Sequence, residues 1–376
     1  MKRQPNAPDI AIYLPSLEGG GAERVMTNLA NGFAGRGFRV DLVLVEARGP
    51  YLAQVSANVR IVELGSGSVI RSVGALVRYL RGARPRALLA ALSHANIVAI
   101  LAHRLSRSRA RLVVSERLSL AAARRYSRGL RYQIIRRLMR PTYHLADRVV
   151  VVAAAMIGEL KEQLGLPANK LECIYNPVVD ADLVKAAAQP CTHPWLAEDA
   201  SVPVVLGCGR LSAQKDFATL IEAFRIIHAR RPVRLIILGE GEDRVALQAQ
   251  IDAGGIADDV DLPGFAANPF AFMSRASVFV LSSIYEGMPG ALIQAMACGA
   301  PLVCTDCPTG PDEILEDGRW GALVPMRDPA AMAAAIEQTL DAPPIDARSR
   351  AAAFAEPEAV SRYLSALGLP MNATTR

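Results

Sequence analysis

Short β-branched runs alternate with helical patterns along the whole chain, and the alternation happens twice. The runs fall near 10–14, 39–45, 59–63, 87–92, 111–115 and 148–152, then near 203–207, 234–238, 259–262, 277–281, 302–305 and 321–324. Strands spaced by helices join as parallel neighbours through right-handed crossovers, because a twisted strand feeding a right-handed helix packs back on its sheet only that way. The expected fold class is α/β, with two Rossmann-like doubly wound domains facing across a deep interdomain cleft. Ligands of such sheets sit outside the carboxyl ends of the strands. At 376 residues the chain can bury two such cores. The turn pair Asn176-Pro177, with Pro190 and Pro194 beyond it, marks the join. The expected division is an N-terminal domain over 1–176, a linker over 177–200 and a C-terminal domain over 201–356. A helix near 357–370 is expected to pack back on the first domain.

Charge is segregated between the halves. Residues 1–176 hold 27 Lys and Arg against 11 Asp and Glu, and the remainder holds 15 against 25, so the net +6 conceals +16 and −10. Arg124, Arg125, Arg128, Arg131, Arg136, Arg137 and Arg140 crowd the segment 124–140. There Tyr126, Leu130, Ile134 and Leu138 recur at four-residue steps, which makes an amphipathic helix with cationic flanks. Such a helix suits peripheral contact with anionic membrane, each Arg contributing roughly 1 kcal/mol. A plain solvated face is the competing reading. Nucleic acid is disfavoured, because no base-stacking motif accompanies the arginines.

Hydrophobic residues at 51% against charged residues at 21% exclude a disordered chain. All six cysteines lie in the second half except Cys173, which sits just before the join, and Cys304 with Cys307 has CxxC spacing. No second pair completes a zinc ribbon and no His is near, so no metal is expected and Cys304 reads as a small core group. Unpaired thiols fit a reducing compartment. The stretch MKRQPNAPDIAIYLPSL has no continuous apolar segment, so no secretory signal is expected. The longest apolar stretch, 87–102, falls short of the ~20 residues of a membrane span. The expected location is cytoplasmic, at the inner face of the cytoplasmic membrane.

Three segments carry chemistry. From Val278 to Leu315 the chain reads strand, Glu286, a loop with Gly287, Pro289 and Gly290, helix, strand and loop. The glycines let backbone approach a ligand, and the following helix N-terminus offers free N–H groups to a phosphate or sugar hydroxyl. In GCGRLSAQKDF, Arg210 and Lys215 follow a strand and can neutralise a diphosphate leaving group. In LEGGGAERV, Gly19, Gly20 and Gly21 precede a helix that would attract an anion. That spacing is not GxGxxG, so nicotinamide and flavin are disfavoured.

Together with LADRVVVV, IYNPV, LGEGED, LPGF, YEGMPGALIQAMACGAPLV and TDCPTGPDEIL, these segments resemble the glycosyltransferases of family 4 over nearly the whole chain. The resemblance implies GT-B architecture and retaining, metal-independent transfer of a hexose or N-acetylhexosamine from a nucleotide-sugar, most commonly a UDP-sugar, with no cofactor. It implies that Gly20 and Gly21 approach the donor phosphates, that Arg210 and Lys215 bind the diphosphate, and that Glu286 contacts the sugar hydroxyls. The backbone around Gly287, Met288, Pro289, Gly290 and Ala291 would hold sugar and phosphate. Gly264 and Phe265 would lie beside the nucleobase, with Glu240 on the same rim.

Two positions depart from the family pattern. Its second glutamate, eight residues after the first, is here Gln294, which keeps an acceptor oxygen but loses charge. Ribose recognition is expected to survive, weakened by about 1 kcal/mol. Where many relatives carry His after the strand RLVVS, this chain has Glu116-Arg117. Glu116, or His94 in LSHAN, is then the candidate to orient or deprotonate the acceptor hydroxyl. The basic first domain points to a lipid-linked or polysaccharide acceptor in cell-envelope glycan synthesis. A nucleotide-sugar epimerase of the same architecture and a noncatalytic sugar-nucleotide-binding protein are the alternatives.

Overall fold

The structure, a computed structural model, describes residues 7–120 and 129–373. The chain divides into two compact units, Met1–Pro177 with Glu356–Arg376, and Val178–Ala355. The first holds strands β1 (Ile10–Leu14), β2 (Val40–Leu44), β3 (Val59–Glu63), β4 (Ala87–Ala91), β5 (Arg111–Glu116), β6 (Arg148–Val151) and β7 (Leu171–Cys173). The second holds β8 (Val204–Cys208), β9 (Arg234–Leu238), β10 (Val260–Gly264), β11 (Val278–Leu281), β12 (Leu302–Thr305) and β13 (Ala322–Val324).

The sheets run β3-β2-β1-β4-β5-β6-β7 and β10-β9-β8-β11-β12-β13, with neighbouring strands parallel throughout. Both are doubly wound sheets. The strand order reverses between β1 and β4 and between β8 and β11, where crossovers diverge to opposite faces and leave a crevice at the carboxyl ends. Central strands such as β1 and β4 are buried at every residue, as covering on both faces demands, whereas edge strand β3 is buried only at Val59.

Two expectations need correction. The segment read as a linker, 177–200, belongs to the second unit from Val178 onward: the helix Ala181–Ala187, capped by the Asp180 side chain, packs on Pro269–Met273 and Gly290–Cys298. Leu183 in it is 2% exposed, and Asn268 and Ser274 bond its carbonyls at Ala186 and Ala187, so proline content alone misjudged a short amphipathic turn of helix. Strand β7 was not expected. Its three residues carry no periodicity, and it exists through its pairing with β6.

The helix Glu356–Ala366 closes the first unit by packing on Gly21–Gly35. Val360, Tyr363 and Leu364 join that unit's core, and Gly32 makes the approach possible, since a Cβ there would lie 2.6 Å from Val360 Cγ2. Arg36 donates to Pro357 O at 2.7 Å, and Arg117 donates to Tyr363 Oη at 3.1 Å.

Candidate active site

In the second unit two loops at strand carboxyl ends meet. Lys215, seven residues past β8, donates from Nζ to Glu286 Oε1 at 2.5 Å, and both side chains are largely buried, 17% and 10% exposed. The dipeptide Ser282-Ser283 that ends β11 clamps both members. Ser282 Oγ donates to Lys215 O at 2.6 Å, and Ser283 Oγ donates to Glu286 Oε1 at 2.7 Å. Gln214 stitches the same loops, donating to Tyr285 O at 2.9 Å and accepting from Ile284 N–H at 2.9 Å. Burial pulls the Lys215 pKa down, but the Glu286 carboxylate beside it more than reverses this and leaves it above the ordinary lysine value. The ammonium is therefore charged when a ligand arrives.

Both side-chain hydrogen bonds fall on Oε1 of Glu286; among the described residues Oε2 has none. One oxygen anchors the side chain and the other remains available to a ligand hydroxyl. The loop behind it is fixed from a third strand. Thr309 Oγ1 donates to Glu286 O at 2.7 Å, and Thr305 Oγ1, at the end of β12, donates to Ser283 O at 2.5 Å. Thr309 adopts φ of +66°, unusual for a β-branched residue, and Gly310 follows at +99°, where a Cβ would lie 2.7 Å from Gly287 O. Strained backbone is thus spent on pressing this turn against the Glu286 loop.

Gly287, Met288 and Pro289 lead into the helix Gly290–Cys298, whose N-cap Pro289 supplies no side-chain cap. The first-turn N–H groups of Gly290 and Ala291 so keep the donor capacity that helix starts leave open. Gln294 is half-buried one turn further along. Arg210 lies on the Lys215 loop but is exposed and touches neither Lys215 nor Glu286. Gly264, with φ of +88°, packs on Glu240 so closely that a Cβ would lie 2.7 Å from Glu240 Oε1, and Phe265 beside it is 72% exposed. An uncovered aromatic ring at a strand end is a ready stacking surface.

The first unit holds the other sequence candidates. Gly20 precedes the helix Gly21–Gly35, and its N–H donates to Glu23 Oε2 at 3.0 Å; a Cβ on Gly21 would meet nothing within 4 Å. Leu92 takes φ of +77° between β4 and the helix Ser93–Ser106, a sharp turn that presents Ser93 and a half-buried His94. Glu116 ends β5 at 1% exposure. Ser93 Oγ donates to its Oε2 at 2.9 Å, while Asn96 Nδ2 at 3.0 Å and the Tyr143 hydroxyl donate to Oε1. Burial raises its pKa against the opposing pull of these donors. Both oxygens are engaged by neutral donors, which suits Glu116 to holding the Ser93-His94 turn.

Ser282, Ser283, Gln214, Thr305 and Thr309 were not singled out from sequence. The Ser-Ser pair directly after an apolar run, four residues before Glu286, was the available signal.

The relatives agree with this reading of the fold. A sequence model described as Glycosyltransferase Family 4 matches residues 19–182, and one described as Glycosyl transferases group 1 matches 202–342. The chain belongs to glycosyltransferase family 4. This glycosyltransferase is 25% identical over 341 residues to N-acetylgalactosamine-N,N'-diacetylbacillosaminyl-diphospho-undecaprenol 4-alpha-N-acetylgalactosaminyltransferase of Campylobacter jejuni, covering 88% of this chain and 90% of that one. It is 31% identical over 191 residues to an uncharacterized glycosyltransferase of Methanocaldococcus jannaschii, a match spanning about half of each, 50% and 47%. The crystal structure of Anabaena HepE in complex with UDP and glucose superposes with a TM-score of 0.80 at 19% identity, over 96% of this chain and 99% of that one. These likenesses establish the GT-B architecture of two parallel-sheet α/β domains.

Proposed function

We propose that this glycosyltransferase moves a hexose or N-acetylhexosamine from a UDP-sugar to a lipid-linked or polysaccharide acceptor in cell-envelope glycan synthesis, with retention of anomeric configuration. The single observation that carries the proposal is the buried Lys215–Glu286 pair beside an uncapped helix N-terminus. An arriving diphosphate takes N–H bonds from Lys215 and from Gly290 and Ala291, with Arg210 closing from the exposed side. Charge developing on the leaving group then meets fixed cations and dipoles without solvent reorganisation and without metal. Glu286 Oε2 orients the sugar hydroxyls, Gln294 accepts from the ribose, and Phe265 stacks on the base.

The UDP and glucose bound in the Anabaena structure and the diphospho-undecaprenol in the Campylobacter relative's name accord with this donor and acceptor. Peripheral membrane contact is supported by the helix Leu130–Tyr143, which packs on Ser93–Ser106 through Met139 and Tyr143. Its outer face leaves Ile134 48% and Leu138 44% exposed beside Arg137 and Arg140, and Leu101 and Leu105 are exposed on the neighbouring helix. Arg124, Arg125, Tyr126 and Arg128 lie outside the described residues. Among the described residues no helix is long and apolar enough to cross a membrane.

Thermal-shift screening of nucleotide sugars, then product analysis with the one that stabilises, tests the reading. Transfer giving an α-linked product from an α-linked donor supports it; an epimerised nucleotide sugar, or binding with neither transfer nor hydrolysis, rejects it. Flotation with anionic liposomes tests the membrane contact, and protein left wholly in the soluble fraction counts against it.

A further inference from the structure

At the opposite end of the first sheet from Glu116, the segments entering β4, β5 and β6 enclose a cavity of about 440 Å³. Its walls include Arg86, Arg109, Arg111 and His103, with Asp147 as the one carboxylate. Asp147 Oδ2 is already committed to the Leu112 N–H at 2.7 Å. The nearby Asp9 lies 3.6 Å from Arg86 and is shared with Arg39 at 3.4 Å. Arg111 spends only Nε, on Ala366 O at 2.7 Å, and Arg109 has no hydrogen bond or ion pair among the described residues. His103 Nε2 bonds Ala110 O at 2.8 Å, while its buried Nδ1 has no partner. Three guanidinium groups therefore converge on one concavity with too little negative charge to balance them. Gly368, at φ of +65°, shapes the far wall: a Cβ there would lie 2.9 Å from Arg111 Cδ.

We propose that this cavity binds a phosphate-bearing anion, at a site separate from the donor machinery of the second unit. Guanidinium forks match phosphate oxygens in geometry, and a multivalent oxyanion relieves their mutual repulsion. Free phosphoryl compounds and lipid headgroups share this chemistry. The wall formed by Leu367–Leu369 follows the returning helix, so occupancy would also brace that segment.

Isothermal titration of the whole chain with inorganic pyrophosphate tests the proposal, in an Arg210→Ala background that weakens competing binding at the donor loop. Binding is expected to persist in Arg210→Ala and to fall roughly tenfold when Arg109→Gln is added, the cost of one charge-assisted contact. Arg109 is exposed and makes no described contact, and an unchanged unfolding midpoint without ligand confirms the fold. Sedimentation with phosphatidylglycerol vesicles separates the sources. A parallel loss of vesicle binding in Arg109→Gln assigns the anion to a headgroup, and unchanged vesicle binding assigns it to a soluble phosphoryl compound. Pyrophosphate binding that is absent from Arg210→Ala, or indifferent to both Arg109→Gln and Arg86→Gln, overturns it. Donor transfer by the otherwise unaltered protein can succeed or fail independently, because Arg86, Arg109 and Arg111 all lie in the first unit.

Discussion

Glu116 ends β5 in the first sheet and Glu286 follows β11 in the second, each a buried carboxylate on the carboxyl side of a strand, yet they are partnered oppositely. Glu116 is wrapped on both oxygens by a serine, an asparagine and a tyrosine. Glu286 has a lysine and a serine on one oxygen, with the other uncommitted among the described residues. Neutral donors around Glu116 satisfy it while burial raises its pKa, which makes framework. A cation and a hydroxyl on one oxygen of Glu286 leave the other oxygen open to a ligand.

The largest expected effect breaks the cationic pair. Lys215→Ala strands the Glu286 charge at a cost of about 3–5 kcal/mol, and transfer should fall by a factor of several hundred or more. Steady-state rates with saturating donor, beside a urea midpoint, check it; unchanged turnover would remove Lys215 from leaving-group stabilisation. Glu286→Gln keeps the shape but weakens orientation of the sugar and takes the counter-charge from buried Lys215, so kcat should drop roughly a hundredfold and the urea midpoint should fall as well.

The opposite pattern is expected for Glu116→Ala: about 2–3 kcal/mol of stability lost, from unsatisfied donors, with donor KM unaltered. The pH dependence sharpens this. Because burial raises the folded pKa of Glu116, its stabilising contribution is complete below the unfolded value near 4.5. It is lost as pH rises through the folded value. Urea midpoints from pH 4 upward should therefore decline more in wild type than in Glu116→Gln, each normalised to pH 4, and parallel curves would show that Glu116 does not titrate this way. Thr309→Val removes one hydrogen bond behind the Glu286 loop and should raise donor KM about fivefold, with Thr309→Ser restoring it. The smallest effect concerns Cys307, whose thiol burial pushes up to about 12. At pH 8.5 fewer than about one in a thousand should be thiolate, so iodoacetamide labelling followed by mass spectrometry should leave it unmodified in the native protein.

Much of this was legible beforehand where residue type and local period carry the physics. Thirteen strands form among the described residues and twelve are read in place from the sequence, because strands buried on both faces must be apolar at successive positions. Lys215, Glu286 and the Gly-Pro entry to Gly290–Cys298 stood out because few other reasons place such residues after a strand. The helix around Arg136 and Arg137 was read from 124, whereas its described part begins at Leu130 after an extended Gly129. Four-residue spacing marked Ile134 and Leu138 as one stripe, but only packing showed that Met139 and Tyr143 face inward.

By itself, then, the sequence determined the two doubly wound sheets and the residue types of the loops at their carboxyl ends, since burial pattern and turn residues act over a few positions. Tertiary structure alone decided which carboxylate became framework and which stayed available. That choice rests on Tyr143 reaching Glu116 and on Ser282, Ser283 and Thr309 gripping the Lys215 and Glu286 loops, contacts between segments 3 to 71 residues apart. Hydroxyl groups at such separations carry no periodic signal, and only the folded register of neighbouring strands brings them within bonding distance.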